Sequence, residues 1–150
     1  MIRSVLRRVQ HGIARRTITV IGDSHAQVFG HDVFRLRFPL TRFDVCSVGG
    51  MTASGLDNPN SKTQALTAFK SKLVAAPAGS WVILMLGEVD TGFVIWYRAA
   101  KYGTPVDEMF THAINNYSAF IDFAAARQRV AVVSTPLPTI PDGHPFGEVA

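Results

Sequence analysis

Three short stretches of this chain set glycine beside groups able to do chemistry: Gly22-Asp23-Ser24-His25, Gly49-Gly50-Met51-Thr52 and Gly87-Glu88-Val89-Asp90. A fourth, Ser134-Thr135-Pro136, carries polar residues without the glycine. In the first, a tight glycine turn would present Ser24 in the opening turn of a helix. Backbone N–H groups there lack intrahelical partners, and the helix dipole favours negative charge. A serine oxygen so placed can attack an acyl carbon while its own N–H stabilises the oxyanion, with Asp23 bracing the turn. The same residues also read as an ordinary helix-capping serine with an aspartate turn. His25 adjoins Ser24, and neighbours along a helix do not face one another, so it is not read as that serine's base.

Two other chemistries draw on the same stretches. Asp23, His25, Glu88 and Asp90 could converge on a divalent metal, although no paired-histidine spacing supports it. A glycan- or anion-binding module without catalysis would instead use the turn after Gly22 together with Gly49 and Gly50. Phe93-Val94-Ile95-Trp96-Tyr97-Arg98 could then add aromatic stacking and a cation, or form buried helix.

These stretches need a framework, and hydrophobic patterning supplies one. Thr17–Ile21 is a short β-branched run that predicts a buried strand, and Phe43–Val48 predicts a second. Trp81–Leu86 is six consecutive apolar residues, the pattern of a strand covered on both faces. Val130–Val133 predicts a fourth strand. Between them, Val28–Phe38, Ser61–Ala76 and Val106–Ala126 have helical spacing or composition. Pro39 and Pro77 stop the first two, and Thr104-Pro105 enters the last as cap and first residue. Phe110, Tyr117, Phe120 and Phe123 on that helix are read as core. Strands alternating with helices predict an α/β fold with a parallel sheet, whose reactive groups gather at the carboxyl ends of the strands.

Composition narrows the function classes. The chain has 150 residues, is 47% hydrophobic, and fits one domain with a sizeable core. No apolar run reaches the length of a membrane-spanning helix. The only cysteine, Cys46, excludes an internal disulfide and cysteine-based zinc sites, and is read as a small buried apolar residue. The net charge of +4 resides in residues 1–16, which hold Arg3, Arg7, Arg8, Arg15 and Arg16 and no acid. The remainder, with 10 basic and 11 acidic residues, is no nucleic-acid-binding surface. Ile2, Val5, Val9 and Ile13 make residues 1–16 an amphipathic arm, readable also as a presequence or a membrane-surface contact. It lacks the apolar core of a secretory signal, so a cytoplasmic location is expected. Residues 17–150 form the domain.

Taken together, the three glycine stretches resemble a known superfamily. Ile18–Phe29 (ITVIGDSHAQVF) is similar to block I of the SGNH/GDSL hydrolases, Ser47–Leu56 (SVGGMTASGL) to block II, and Val82–Asp90 (VILMLGEVD) to block III. The resemblance implies a flavodoxin-like three-layer α/β/α sandwich and hydrolysis of esters by a nucleophilic serine, without a cofactor. Ser24 would be the nucleophile, the N–H groups of Ser24 and Gly50 the oxyanion donors, and Asp23 the brace of the turn. Gly49, His25, Glu88 and Asp90 would contact substrate or orient neighbouring loops.

The departures are informative too. Val89 falls where block III normally has an asparagine donor. Gly-Glu-Val-Asp resembles a divergent bacterial branch found among proteins of surface-polysaccharide gene clusters, which implies O-acyl groups of a polysaccharide as substrate. The superfamily's last block, Asp-x-x-His, which would supply the catalytic base, has no full counterpart. Asp142-Gly143-His144-Pro145 is one residue short, and the chain is read as C-terminally incomplete. A fragment of this kind would expose the edge of its fourth strand to a partner or a second copy.

Overall fold

The computed structural model describes residues 16–135, so the amphipathic arm up to Arg15 and the His144 segment lie outside the described residues. The fold is α/β, with four parallel strands in the order β2-β1-β3-β4. These are β1 (Arg16–Gly22), β2 (Thr41–Ser47), β3 (Trp81–Met85) and β4 (Arg129–Val132). The helices are α1 (Asp32–Arg37), α2 (Ala65–Ala75), α3 (Ile95–Tyr102) and α4 (Val106–Ala125). No described helix is long and apolar enough to cross a membrane.

Register fixes where the strands end. Ile21 lies beside Cys46 on one flank and Leu84 on the other, and Gly22 beside Ser47 and Met85. The chain leaves β1 toward β2, then crosses back over β1 to β3. The order therefore reverses between β1 and β3, and beyond their carboxyl ends lies the position where open parallel sheets form their ligand crevice.

The core lies on the face of the sheet that carries Ile21, Val82 and Leu84, which pack with Leu56, Phe69, Leu73, Phe120 and Ala124. Phe69 of α2 and Phe120 of α4 meet at 5.8 Å between ring centroids and close the middle of this layer. On the opposite face Phe29, Phe34 and Phe38 surround Phe43 of β2. Their tilted and edge-on contacts are the arrangements that ring quadrupoles favour.

The structure differs from the sequence reading at several points, each with a local cause. Val28–Phe38 is not one helix. A 3-10 segment spans Ser24–Gly30, and α1 begins afresh behind His31, whose ring accepts from the Val33 N–H at 3.3 Å. Helix α2 begins at Ala65 because Ser61, Thr63 and Gln64 bond locally: Ser61 Oγ meets Thr63 Oγ1 at 2.9 Å, and Gln64 Nε2 donates to the Ser61 carbonyl at 2.7 Å. Such side chains compete with helical backbone bonding. Strand β3 is covered unevenly: Val82 and Leu84 are buried, whereas on the other face Ile83 and Met85 are partly buried and Trp81 is 47% exposed. Pro105, not Thr104, precedes the first residue of α4, and no side chain caps it. Phe120 is buried, while Phe110, Tyr117 and Phe123 are partly buried against the core. Cys46 is half-buried, and that burial raises its thiol pKa.

Candidate active site

The turn after β1 is held by contact with β3. A Cβ at Gly22 would overlap the Met85 carbonyl oxygen, so only glycine lets the two backbones approach this closely. The same carbonyl accepts from the Asp23 N–H at 3.3 Å. Asp23, 1% exposed, caps the 3-10 segment, its Oδ1 accepting from the His25 N–H at 2.9 Å. Its other oxygen is buried with no hydrogen-bond partner among the described residues. The expected helix dipole behind Ser24 thus shrinks to one short 3-10 segment, and the Asp23 carboxylate fixes the turn instead.

Ser24 is exposed at the first position of that segment, and its hydroxyl makes no hydrogen bond among the described residues. His25 turns to the β3 loop. Its Nδ1 lies 3.1 Å from Asp23 Oδ1 and 3.3 Å from Glu88 Oε2, so two carboxylates orient the imidazole. Contact between a ring nitrogen and a carboxylate selects the tautomer protonated at that nitrogen, which leaves Nε2 as the free one. Glu88 remains about one-third exposed toward the crevice.

The second glycine stretch joins at the same end of the sheet. The Val48 N–H donates to the Gly22 carbonyl at 3.0 Å, which sets the Gly49-Gly50 turn beside the Ser24 turn. Gly50 takes φ +68°, a left-handed conformation that glycine adopts without strain, and both glycines are exposed.

Asp90 stands apart from this group. It is 1% exposed, and its two oxygens accept from the N–H groups of Ala53 at 2.6 Å and Ser54 at 3.0 Å. Its carboxylate is spent on tying the β3 loop to the 3-10 turn Ala53–Gly55. Asp23, His25 and Glu88 therefore converge without Asp90, and no metal-holding group of three or more such side chains occurs among the described residues.

A network supports that turn, and apart from Arg98 the sequence reading did not single it out. His112 Nε2 lies 3.1 Å from the Ser54 carbonyl, Asn116 Nδ2 donates to it at 3.4 Å, and Arg98 donates to Ser54 Oγ at 3.3 Å. His112 also approaches Asp57 at 3.6 Å. The i, i+4 spacing of His112 and Asn116, which puts both on one helix face, is the signal that could have revealed them. Phe93–Arg98 does lie on helix, but not buried throughout. Ile95 is buried, Trp96 Nε1 donates to the Thr91 carbonyl at 2.7 Å, and Phe93 stacks on Tyr97 in the open.

The arrangement combines an exposed hydroxyl on a rigid turn, a carboxylate-oriented imidazole and a flexible-φ glycine turn at one crevice. Comparison of the chain with protein-family models, with curated proteins and with solved structures finds no match.

Proposed function

We propose that this protein is a serine acyl hydrolase of the SGNH/GDSL type, with Ser24 as nucleophile and O-acyl groups of a bacterial polysaccharide as substrate. The observation that carries the reading is the exposed Ser24 hydroxyl at the β1/β3 reversal, on a turn braced by Asp23 and flanked by Gly49-Gly50. The strand order and the crossovers on both faces support a flavodoxin-like three-layer arrangement.

Ser24 Oγ attacks the ester carbonyl carbon, and the N–H groups of Ser24 and Gly50 receive the developing oxyanion. The C–O bond to the alcohol then breaks, leaving an acyl-serine that water hydrolyses. His25, fixed through Nδ1, keeps Nε2 to hydrogen-bond a substrate oxygen beside Glu88. Val89 contributes no side-chain donor, and one missing oxyanion donor is worth roughly 10²–10³ in turnover. Slow turnover follows. The base that takes the Ser24 proton and returns it to the leaving alcohol would be the histidine of an Asp-x-x-His pattern, which the described residues do not include.

Labelling with a fluorophosphonate ester tests the nucleophile. The wild-type protein should label and Ser24→Ala should not; equal labelling, or none of the wild type, overturns the assignment. The absence of any imidazole bonded to Ser24 Oγ among the described residues favours one rival, a glycan-binding module. Saturable oligosaccharide binding that survives Ser24→Ala, without ester turnover, would establish that rival.

A further inference from the structure

Beyond the Ser24 turn, an open cavity of about 270 Å³ lies between α3, α4 and the carboxyl ends of β3 and β4. Its walls are Leu86, Ile95, Phe110, Ala113, Ile114 and Val132. It is lined by Gly87, the residue before the Glu88 that touches His25. We propose that this cavity binds the acyl chain of the substrate and selects chains of about six to nine carbons, an inference that rests on the acyl-hydrolase reading.

The chemistry of the lining decides between the two halves of an O-acylated sugar. A sugar ring carries hydroxyls on every side and needs a polar partner for most of them. Here the polar lining is confined to Asp90, Thr91, Tyr117, Ser134 and Thr135, and the first two are already occupied. Both Asp90 oxygens are bonded to backbone N–H groups, and Thr91 Oγ1 donates to the Gly87 carbonyl at 3.0 Å. The Tyr117 hydroxyl, which finds no well-formed hydrogen bond among the described residues, is sealed from the cavity by its own burial. No unpaired charge faces inward, so an uncharged apolar group is the fitting occupant. Size sets its length. At roughly 30 Å³ per water- or methylene-sized group, the volume holds about nine such groups, far more than an acetyl methyl.

The test uses p-nitrophenyl esters with acyl chains of two, four, eight and twelve carbons, on wild type and Ile114→Trp. Ile114 is 59% exposed on the cavity rim, so the larger side chain narrows the space with little threat to folding. In the wild type, kcat/KM should rise about two-fold per methylene up to eight carbons and then level. That is about half the full-burial gain per methylene, because the cavity is open on one side. Ile114→Trp should flatten the rise from two to eight carbons. Independently of catalysis, octanamide added to the Ser24→Ala protein should shift the NMR resonances of Leu86, Ile95 and Val132, and acetamide should not. A flat ester series in a protein that turns over, or a length preference that survives Ile114→Trp, overturns the pocket and spares the hydrolase reading. No turnover of any ester, with octanamide still bound, refutes the hydrolase and upholds an apolar binding site. Neither turnover nor octanamide binding overturns both.

Discussion

Replacing Asp90 should damage stability before it damages anything else. Its carboxylate receives two backbone N–H groups from residues 36 and 37 positions earlier in the chain, at 3.0 and 2.6 Å, in a site 1% exposed. Asp90→Ala leaves both donors buried and unpartnered, at about 1–3 kcal/mol each. A total loss of about 3–5 kcal/mol is expected, a large share of the 5–15 kcal/mol typical of a domain. Asp90→Asn keeps one acceptor oxygen but turns an N–H₂ toward the second donor, and should cost about half as much. Urea denaturation at neutral pH measures this directly, with an unchanged slope showing that the denatured state is not the cause. The melting temperature of Asp90→Ala should fall by roughly 8–15 °C. A loss below about 1 kcal/mol would refute the clamp. So would a variant of native stability that no longer labels, since that result would put Asp90 on the substrate.

Glu88→Gln should behave in the opposite way. The His25–Glu88 contact is partly exposed, so stability should change by less than about 1 kcal/mol while KM for an ester rises. Gly22→Ala should cost about 1–3 kcal/mol or more by forcing β1 away from the Met85 carbonyl, and fluorophosphonate labelling should fall with it. Burial pushes the Tyr117 phenol up to about 12, only partly offset by the nearby Leu86 backbone. The unfolded phenol ionises near pH 10, so this contribution is fully present below pH 10 and is lost as pH rises from about 10 to 12, by about 2 kcal/mol. Tyr117→Phe should remove that alkaline loss in a pH series of denaturation midpoints. At neutral pH it should change stability by less than about 1 kcal/mol, because the hydroxyl makes no well-formed hydrogen bond among the described residues.

The four strands were legible because each is a compact β-branched or apolar run, and prolines marked the stops of two helices. Prolines 39 and 77 do follow the helices they were expected to end. What misled was local competition and missing periodicity. Ser61 to Gln64 has helix-compatible composition, yet its side chains bond to one another and to the backbone, which delays α2. The six apolar residues from Trp81 carry no alternation, so nothing in them distinguishes the face under α2 and α4 from the open face of Trp81. At the site, the Gly-Asp-Ser turn could be read from neighbours in sequence. The division between Glu88 and Asp90 could not, because the partners of Asp90 stand 36 and 37 residues away.

That division explains why three loops hold one geometry. The β1 turn is locked to β3 by the Asp23 N–H on the Met85 carbonyl, and the Val48 N–H locks the β2 turn to Gly22. Asp90 then ties the far side of the β2 loop to the β3 loop, while α4 grips the same turn through His112 and Asn116 on the Ser54 carbonyl. The loops therefore form a closed ring of bonds around the crevice, and a displacement of one must break a bond to another. Two carboxylates two residues apart do unlike work within it. Asp90 faces inward, where its charge is consumed by backbone, and Glu88 faces the crevice with His25. A rigid ring leaves little freedom for Ser24 to search for a partner. Any group that activates its hydroxyl must therefore come to the site already positioned, from residues or a substrate outside this ring.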